Sequence, residues 1–386
     1  MTSGEFARAS RLSPKALRLY DELGLLSPAE VDPVTGYRRY APAQLEQARL
    51  VAWLRRLGMP LARIRSVISM PRAEAAADLV AYWQQVEAET SDRRDLATFL
   101  IGYLSGKGAS MSDASEQLVI RYAVRSDVGL QRDVNEDSAY ASARLLAVAD
   151  GMGGHAAGEV ASAAVIDALR PLDTEIPAGE LLAALDHAVR TAGSTLRDMA
   201  ATDPSLAGMG TTLTALVVSG SQLGLVHIGD SRAYLLRAGE CYQITHDHTL
   251  VQTLLDDGKI TPAEVASHPK RNLILRALVS NYDCDADLQL REVRAGDRYL
   301  LCSDGLHEVA DAIAIAAVLR SVADPDQAAR DLIALAISGG GPDNVTCIVA
   351  DVQPAPIPAA DQASAGPHKS LRGSGCYSGC SPVSAR

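Results

Sequence analysis

Four runs of apolar or glycine-rich residues each close on an aspartate followed by a small or turn-forming residue. They are Leu-Leu-Ala-Val-Ala-Asp150-Gly, Val-His-Ile-Gly-Asp230-Ser, Tyr-Leu-Leu-Cys-Ser-Asp304-Gly and Gly-Gly-Gly-Pro-Asp343-Asn. One such aspartate is usually a turn residue. Four are better explained by strands that end at one sheet rim and bring their carboxylates to a shared site. Carboxylates packed together repel and raise one another's pKa unless a cation lies between them. No matching set of Lys or Arg accompanies these four, and the His/Cys sets expected of zinc are missing. Oxygen ligands of this kind suit a hard divalent ion, Mg²⁺ or Mn²⁺. Two such ions about 3.5–4 Å apart can activate a water that hydrolyses phosphate esters. Upstream, Arg132 stands in the run Arg132-Asp-Val-Asn135-Glu136-Asp137. Beside acids it reads either as a salt bridge or as a bidentate phosphate clamp, a task that arginine geometry suits better than lysine.

The elements that must position these groups follow from patterning. Strand-like runs at 119–124, 145–149, 213–218, 223–228, 232–237, 298–302 and 345–351 alternate with helical segments at 158–170, 180–200, 310–320 and 326–337. Ahead of them, residues 72–105 read as one long helix. Leu79, Trp83, Val86, Thr90, Arg93, Ala97, Leu100 and Leu104 recur at steps of four and three, the spacing of a coiled-coil seam, which favours a homodimer over packing on the helix's own domain. Residues 106–117 have linker composition, and 21 of the 33 residues from Pro354 onward are Pro, Ala, Gly or Ser, which predicts a disordered tail.

Charge divides the chain. Residues 1–75 carry 12 Lys and Arg against 7 Asp and Glu, whereas the remainder carries 24 against 40. A basic head on an acidic body suggests that the head meets a polyanion. Within the head, a helix near Ser3–Ala9 precedes a turn, then Ser13-Pro14 supplies an N-cap and first helical position. The second helix carries Lys15, Arg18 and Tyr20 and stops at Gly24. A hairpin-like wing follows, with two arginines between Tyr37 and Tyr40, and two more helices begin near Pro42 and Pro60. No stretch approaches the roughly 20 apolar residues of a membrane span. The N-terminus is charged where a signal peptide would be apolar, so a cytoplasmic location is expected. Cys302 and Cys347 lie in apolar runs as buried free thiols do, while Cys376 and Cys380 read as incidental surface thiols.

Ala16-Leu-Arg-Leu-Tyr-Asp-Glu-Leu-Gly-Leu-Leu26, Gly36-Tyr-Arg-Arg-Tyr40 and Leu57-Gly-Met-Pro-Leu61 give residues 1–71 a resemblance to the MerR family of transcription regulators. The resemblance implies an all-α winged helix-turn-helix domain whose second helix enters the major groove. Lys15, Arg18, Tyr20, Tyr37 and Arg38 would be its DNA-binding residues, with Arg and Tyr holding phosphates.

The body carries six motifs in order: Arg132-x-x-Asn-Glu-Asp137, Asp150-Gly-Met-Gly-Gly154, Gly210-Thr-Thr212, Gly229-Asp-Ser-Arg232, Ser303-Asp-Gly305 and Gly341-Pro-Asp-Asn344. Residues 118–353 resemble the metal-dependent type 2C (PPM) protein phosphatases. The resemblance implies an α+β fold, two mainly antiparallel sheets packed face to face with helices on both outer sides. By the same resemblance Asp150 would bridge two Mn²⁺ or Mg²⁺ ions, Asp304 and Asp343 would complete the first, and the Gly151 carbonyl and Glu136 would serve the second. Asp230 would hold a weaker third ion, Arg132 the substrate phosphate, and Asn344 would orient its neighbours. The implied activity is hydrolysis of phosphoserine and phosphothreonine in proteins. The alternative is a MerR-type regulator whose phosphatase-like body acts as a sensor. Animal-type relatives have a histidine directly after Asp-Gly; here that position is Met152, and leaving-group protonation falls either to His155 or to a water. Residues 256–282 match the mobile flap beside such sites. His268, Lys270 and Arg271 there read as solvated loop charges, and Asp247, between His246 and His248, reads as an N-cap.

Overall fold

A computed structural model describes residues 1–33, 35–104, 118–153, 157–257, 259–265, 267–281 and 285–355. His155, Cys284, the expected linker 106–117, and Cys376 and Cys380 of the expected tail lie outside these residues, as do the side chains of Leu100 and Leu104.

The head begins with α1 (Ser3–Ser10), where Thr2 and Glu5 cap each other's backbone reciprocally. Next comes α2 (Pro14–Glu22), whose first turn is closed by Ala16 N–H donating to Ser13 Oγ at 3.0 Å. The wing is a short antiparallel pair, β1 (Glu30–Val31) and β2 (Arg38–Arg39). Then follow α3 (Gln44–Arg56), α4 (Leu61–Ser69) and the long α5 (Arg72–Leu104). Phe6 stacks on Tyr40 with ring centroids 4.5 Å apart, and Leu17, Leu25, Leu54 and Ile64 close the core around them. Ala75, Leu79 and Tyr82 of α5 pack against this same core. The first seam position is therefore used within its own domain, while Trp83 stays exposed.

The body runs β3 (Leu118–Asp127), β4 (Asp137–Ala141), β5 (Leu145–Met152), α6 (Ala157–Leu169), α7 (Leu181–Thr202), β6 (Gly210–Thr211), β7 (Leu213–Ser219), β8 (Gln222–Ile228), β9 (Arg232–Arg237), β10 (Glu240–Gln243), α8 (Leu250–Asp256), α9 (Pro262–Val265), β11 (Leu278–Val279), β12 (Asp287–Glu292), β13 (Arg298–Cys302), α10 (Asp304–His307), α11 (Ala312–Ser321), α12 (Pro325–Ser338) and β14 (Val345–Pro354). One antiparallel sheet has the order β10-β9-β13-β14-β3; the other has β11-β6-β5-β7-β8-β12, with β4 along β5.

Period-two alternation makes this a four-layer body, because successive strand side chains face opposite ways. On β5, Leu145, Ala147 and Ala149 pack under α6 and α7, while Leu146 and Val148 point between the sheets. On β13, Leu300 and Cys302 pack under α11 and α12, while Tyr299 and Leu301 meet the opposite sheet. Cys302 and Cys347 are buried and free, as their apolar surroundings predict. The two sheets thereby hold their strand ends in fixed relation. β5, β8 and β13 stop, and β4 and β14 start, at one end of the sandwich. Among the described residues, no helix is long and apolar enough to cross a membrane.

Because Leu301 is fully buried between the sheets, Leu301→Ala should lower unfolding stability by about 2–5 kcal/mol in urea titration. Ile313→Ala, at a position 79% exposed, should stay within about 0.5 kcal/mol. Equal effects would contradict the placement of the inter-sheet core.

Candidate active site

Asp150 lies near the end of β5, directly opposite Asp137 on β4. Its backbone is fixed from the β6–β7 side. Asp150 N–H donates to Thr212 Oγ1 at 3.0 Å, and its carbonyl accepts from Thr211 Oγ1 at 2.8 Å and Thr212 N–H at 2.9 Å. The next residue must be glycine, since a Cβ on Gly151 would lie 2.2 Å from the Gly158 carbonyl oxygen. A Cβ on Gly158 would in turn meet Glu136 Cδ at 2.7 Å. These two bare backbones let β5, the start of α6 and the Glu136 carboxylate close on one another.

Asp304 opens α10 immediately beyond β13, and Asp343 stands just before β14. Asn344 is buried and ties the Arg132 loop to this point. Its Oδ1 accepts from Glu136 N–H at 2.8 Å, and its Nδ2 donates to the carbonyls of Val128 and Val134 at 2.9 Å each. That is the orienting role expected of it. Arg132 Nη2 donates to Asp343 Oδ2 at 2.6 Å, with half of the arginine side chain exposed. The arginine thus makes the salt bridge and keeps an open edge.

Electrostatics identify which acids share the site. Burial pushes the Asp150 carboxyl well above the ordinary range, and the charges of Asp304, Asp137, Asp230 and Asp343 push it further. Asp304 is raised in the same way, by burial and then by Asp230, Glu308, Asp343 and Asp137. Both keep a strip of surface, yet burial is the leading cause for each. Asp137 rises to about 6 and Asp230 to about 7, again chiefly through burial. Asp137 Oδ2 accepts from Ser303 Oγ at 2.7 Å, but Asp137 Oδ1, Asp230 Oδ1 and Asp304 Oδ1 are buried without a hydrogen-bond partner. As the side chains stand, no three His, Cys, Asp or Glu groups among the described residues form a closed ligand set; Asp343 is turned to Arg132. Orphaned carboxylate oxygens that also repel one another are nonetheless what a hard divalent cation satisfies, and the donor set is all oxygen. The residues present fit such ions.

Two acids of this group were not among the expected ligands. Asp137 was visible only as the last letter of a motif; its partnership with Asp150 is a matter of strand register. Glu308 sits one helical turn beyond Asp304, and that i, i+4 spacing was the available signal. Burial raises Glu308, Arg271 opposes the rise, and Asn272 hydrogen-bonds it, so this carboxylate faces the flap.

Other expectations are corrected. Asp247 does not cap a helix. Thr249 caps α8, accepting from Gln252 N–H at 3.2 Å, while buried Asp247 takes a bidentate grip from Arg232, Nη2 to Oδ2 being 2.6 Å. A carboxylate so deeply buried needs a full countercharge, which a cap cannot supply. Ser267, His268, Lys270, Arg271, Asn272 and neighbouring flap residues line an open cavity of about 800 Å³. In the head, Lys15, Arg18 and Tyr37 are exposed. Tyr20, expected at DNA, is only 6% exposed and belongs to the core, because helical period places it with Leu17 on the inner face of α2. Arg38 Nε donates to Asp21 Oδ2 at 2.8 Å and so braces the wing against α2.

Residues 1–70 match the family described as MerR HTH family regulatory protein, and residues 131–335, more than half of the chain, match Protein phosphatase 2C. The chain is 59% identical over 237 residues to the serine/threonine protein phosphatase PstP of Mycobacterium tuberculosis, a match that covers 61% of this chain and 45% of PstP. The chain thus spans about half the length of that relative. The serine/threonine phosphatase stp of Listeria monocytogenes is 34% identical over 236 residues, covering 59% of this chain and 94% of stp. Among solved structures, M. tuberculosis PstP/Ppp aligns with a TM-score of 0.60 at 58% identity, covering 61% of this chain and 99% of that one. The PstP catalytic domain in complex with two manganese ions aligns with a TM-score of 0.58 at 57% identity, with 61% and 99% coverage. A family match over more than half of the chain, which takes in Asp137, Asp150, Asp230 and Asp304, makes the chain a member of the protein phosphatase 2C family.

Proposed function

We propose that the body is a metal-dependent protein serine/threonine phosphatase that acts on phosphorylated proteins, and that the head binds DNA. The observation that carries the first part is the group of crowded carboxylates with orphaned oxygens, set beside the half-exposed Arg132. Asp150, Asp304 and Asp343, with the Gly151 carbonyl and Glu136, would hold two Mn²⁺ or Mg²⁺ ions, and Asp230 a weaker third. When bound, the ions supply Lewis-acid polarisation of the phosphate and a water acidic enough to attack it. Arg132 can turn its open edge from Asp343 to two phosphate oxygens, since a guanidinium fork matches that geometry. Asn344 keeps Arg132 and Glu136 in register with Asp343 during turnover. The sensor alternative is less well supported, because the sequence retains all four expected aspartates.

In the head, Lys15 and Arg18 on the exposed face of α2, with Tyr37 on the wing, would meet phosphate and groove. Arg38 would act by holding the wing, and Tyr20 by supporting α2 from the core. Exposed Trp83 on α5 supports pairing with a second copy along residues 72–105. A cytoplasmic setting suits both halves.

Asp150→Asn should reduce Mn²⁺-dependent hydrolysis of 4-nitrophenyl phosphate and of a phosphothreonine peptide by about 10²–10³-fold or more, the usual scale for a lost charge-stabilising group. Retained turnover would refute the assignment. Stability should respond to pH with a definite sign. Asp137 and Asp230 titrate at about 6 and about 7 in the folded chain, above the ordinary aspartate value of about 3.9. Between those values the folded state holds more protons than the unfolded one, so chelator-treated protein should lose stability as pH rises from about 4 through about 7. Mn²⁺ at a hundredfold excess over its Kd should add about 2.7 kcal/mol, visible as a rise in melting temperature at pH 8. A flat pH profile with no Mn²⁺ shift would contradict the site. For the head, Arg18→Ala should weaken DNA binding in a gel shift and lower the salt slope by about one, leaving phosphatase rates unchanged.

A further inference from the structure

Behind Asp230 lies a polar assembly that the proposed chemistry does not use, centred on His248, whose side chain is 5% exposed. Its backbone N–H donates to the Gly229 carbonyl at 2.8 Å, and Gly229 N–H donates to its Nδ1 at 3.1 Å. Because Nδ1 accepts, the ring proton sits on Nε2, which donates to Asp287 Oδ2 at 3.0 Å. The other oxygen of Asp287 accepts from Arg276 Nη1 at 3.0 Å. Arg276 lies where the flap rejoins the sheet, and its neighbour Leu275 donates its N–H to the His248 carbonyl at 2.7 Å. On its other side Gly229 is fixed by contact. Its φ is +107°, and a Cβ there would come within 2.6 Å of Thr212 Cγ2. Thr212 is the residue whose hydroxyl accepts from Asp150 N–H. The turn that presents Asp230 is therefore wedged between the Asp150 support and His248, and His248 joins it to the base of the flap.

We propose that His248 is a positioning residue that seats the Gly229–Asp230 turn and couples it to the flap base through Asp287 and Arg276. Loosening the Gly229–Asp230 turn at His248 then loosens the flap base as well, whereas losing only the Asp287 contact frees the flap and leaves the turn seated. This inference rests on reading the body as a metal-dependent phosphatase.

Two substitutions in the full chain separate the halves of the link. His248→Gln carries an amide nitrogen to the Nε2 position and retains a donor for Asp287, but removes the acceptor for Gly229 N–H. His248→Asn keeps an acceptor near Nδ1 and gives up the reach to Asp287. Each variant and the wild type are digested with trypsin without added metal, following cleavage after Lys270, Arg271 and Arg276 by mass spectrometry. The Mn²⁺ concentration for half-maximal hydrolysis of a phosphothreonine peptide is then measured, together with Mn²⁺ binding by calorimetry. Leaving the buried Gly229 N–H unpaired in His248→Gln should raise both the flap cleavage rate and the half-maximal Mn²⁺ concentration by about tenfold. His248→Asn should return the Mn²⁺ dependence to within about twofold of wild type while its flap still cuts faster, since it restores only the bond to Gly229. Unchanged cleavage and Mn²⁺ dependence in His248→Gln would overturn the proposal, and so would equal loss of both properties in the two variants. If the wild type shows no turnover, the phosphatase reading fails, and the cleavage and calorimetric comparison still decides whether His248 couples turn and flap.

Discussion

Like charges crowded where water is scarce repel strongly, and this repulsion organises the body. Burial and neighbouring carboxylates raise the proton affinity of Asp137, Asp150, Asp230 and Asp304, and three of these leave buried oxygens without a donor. Such an arrangement persists only if the scaffold holds it. The scaffold here consists of two antiparallel sheets with their own inter-sheet core and helices on both outer faces, and the apolar burial that stabilises the fold runs up to the strand ends that carry the acids. The acidic end is where stability is given up, and divalent ions are what would return it.

Close backbone approach is the means by which the acids are gathered. Gly151 and Gly158 allow β5, the start of α6 and Glu136 to meet where any side chain would intrude. Asn344 uses all its amide groups to hold the Arg132 loop beside Asp343. Thr211 and Thr212 grip both faces of the Asp150 peptide. Each of these contacts is short-ranged and directional, so the positions of charged side chains are set by neutral groups that lose nothing on burial once they are hydrogen-bonded. Charged pairs add to this, Arg132 with Asp343 in the site and Arg232 with Asp247 behind it, where the guanidinium fork neutralises a buried carboxylate.

The head follows a different economy. Its core is small and aromatic, built on the Phe6–Tyr40 stack, and the first turns of α5 complete it. Basic residues are left on the outer face of α2, while the wing is tied back by Arg38 and Asp21. A helix face with cations beside a braced hairpin suits a polyanion, since the backbone that carries the cations is already ordered before contact.

Much of this was legible in the sequence because the signals are local. Alternation over a few residues marks strands, Ser13-Pro14 marks a helix start, and an aspartate after an apolar run marks a strand end at a turn. These depend on backbone geometry within one or two turns of chain, and they marked β3, β5, β7, β8, β9, β13 and β14, the four longer helices of the body, the four aspartates and Arg132, but not β4, β10, β12 or α8. Which groups meet is another matter. Asp137 faces Asp150 through strand register, and Glu308 joins the acids because α10 turns toward the flap. Asp247 abandons the cap that its position suggests because burial demands Arg232. Pairings across tens or hundreds of residues depend on strand order and packing, which local periodicity does not encode, and so only the tertiary structure decided them.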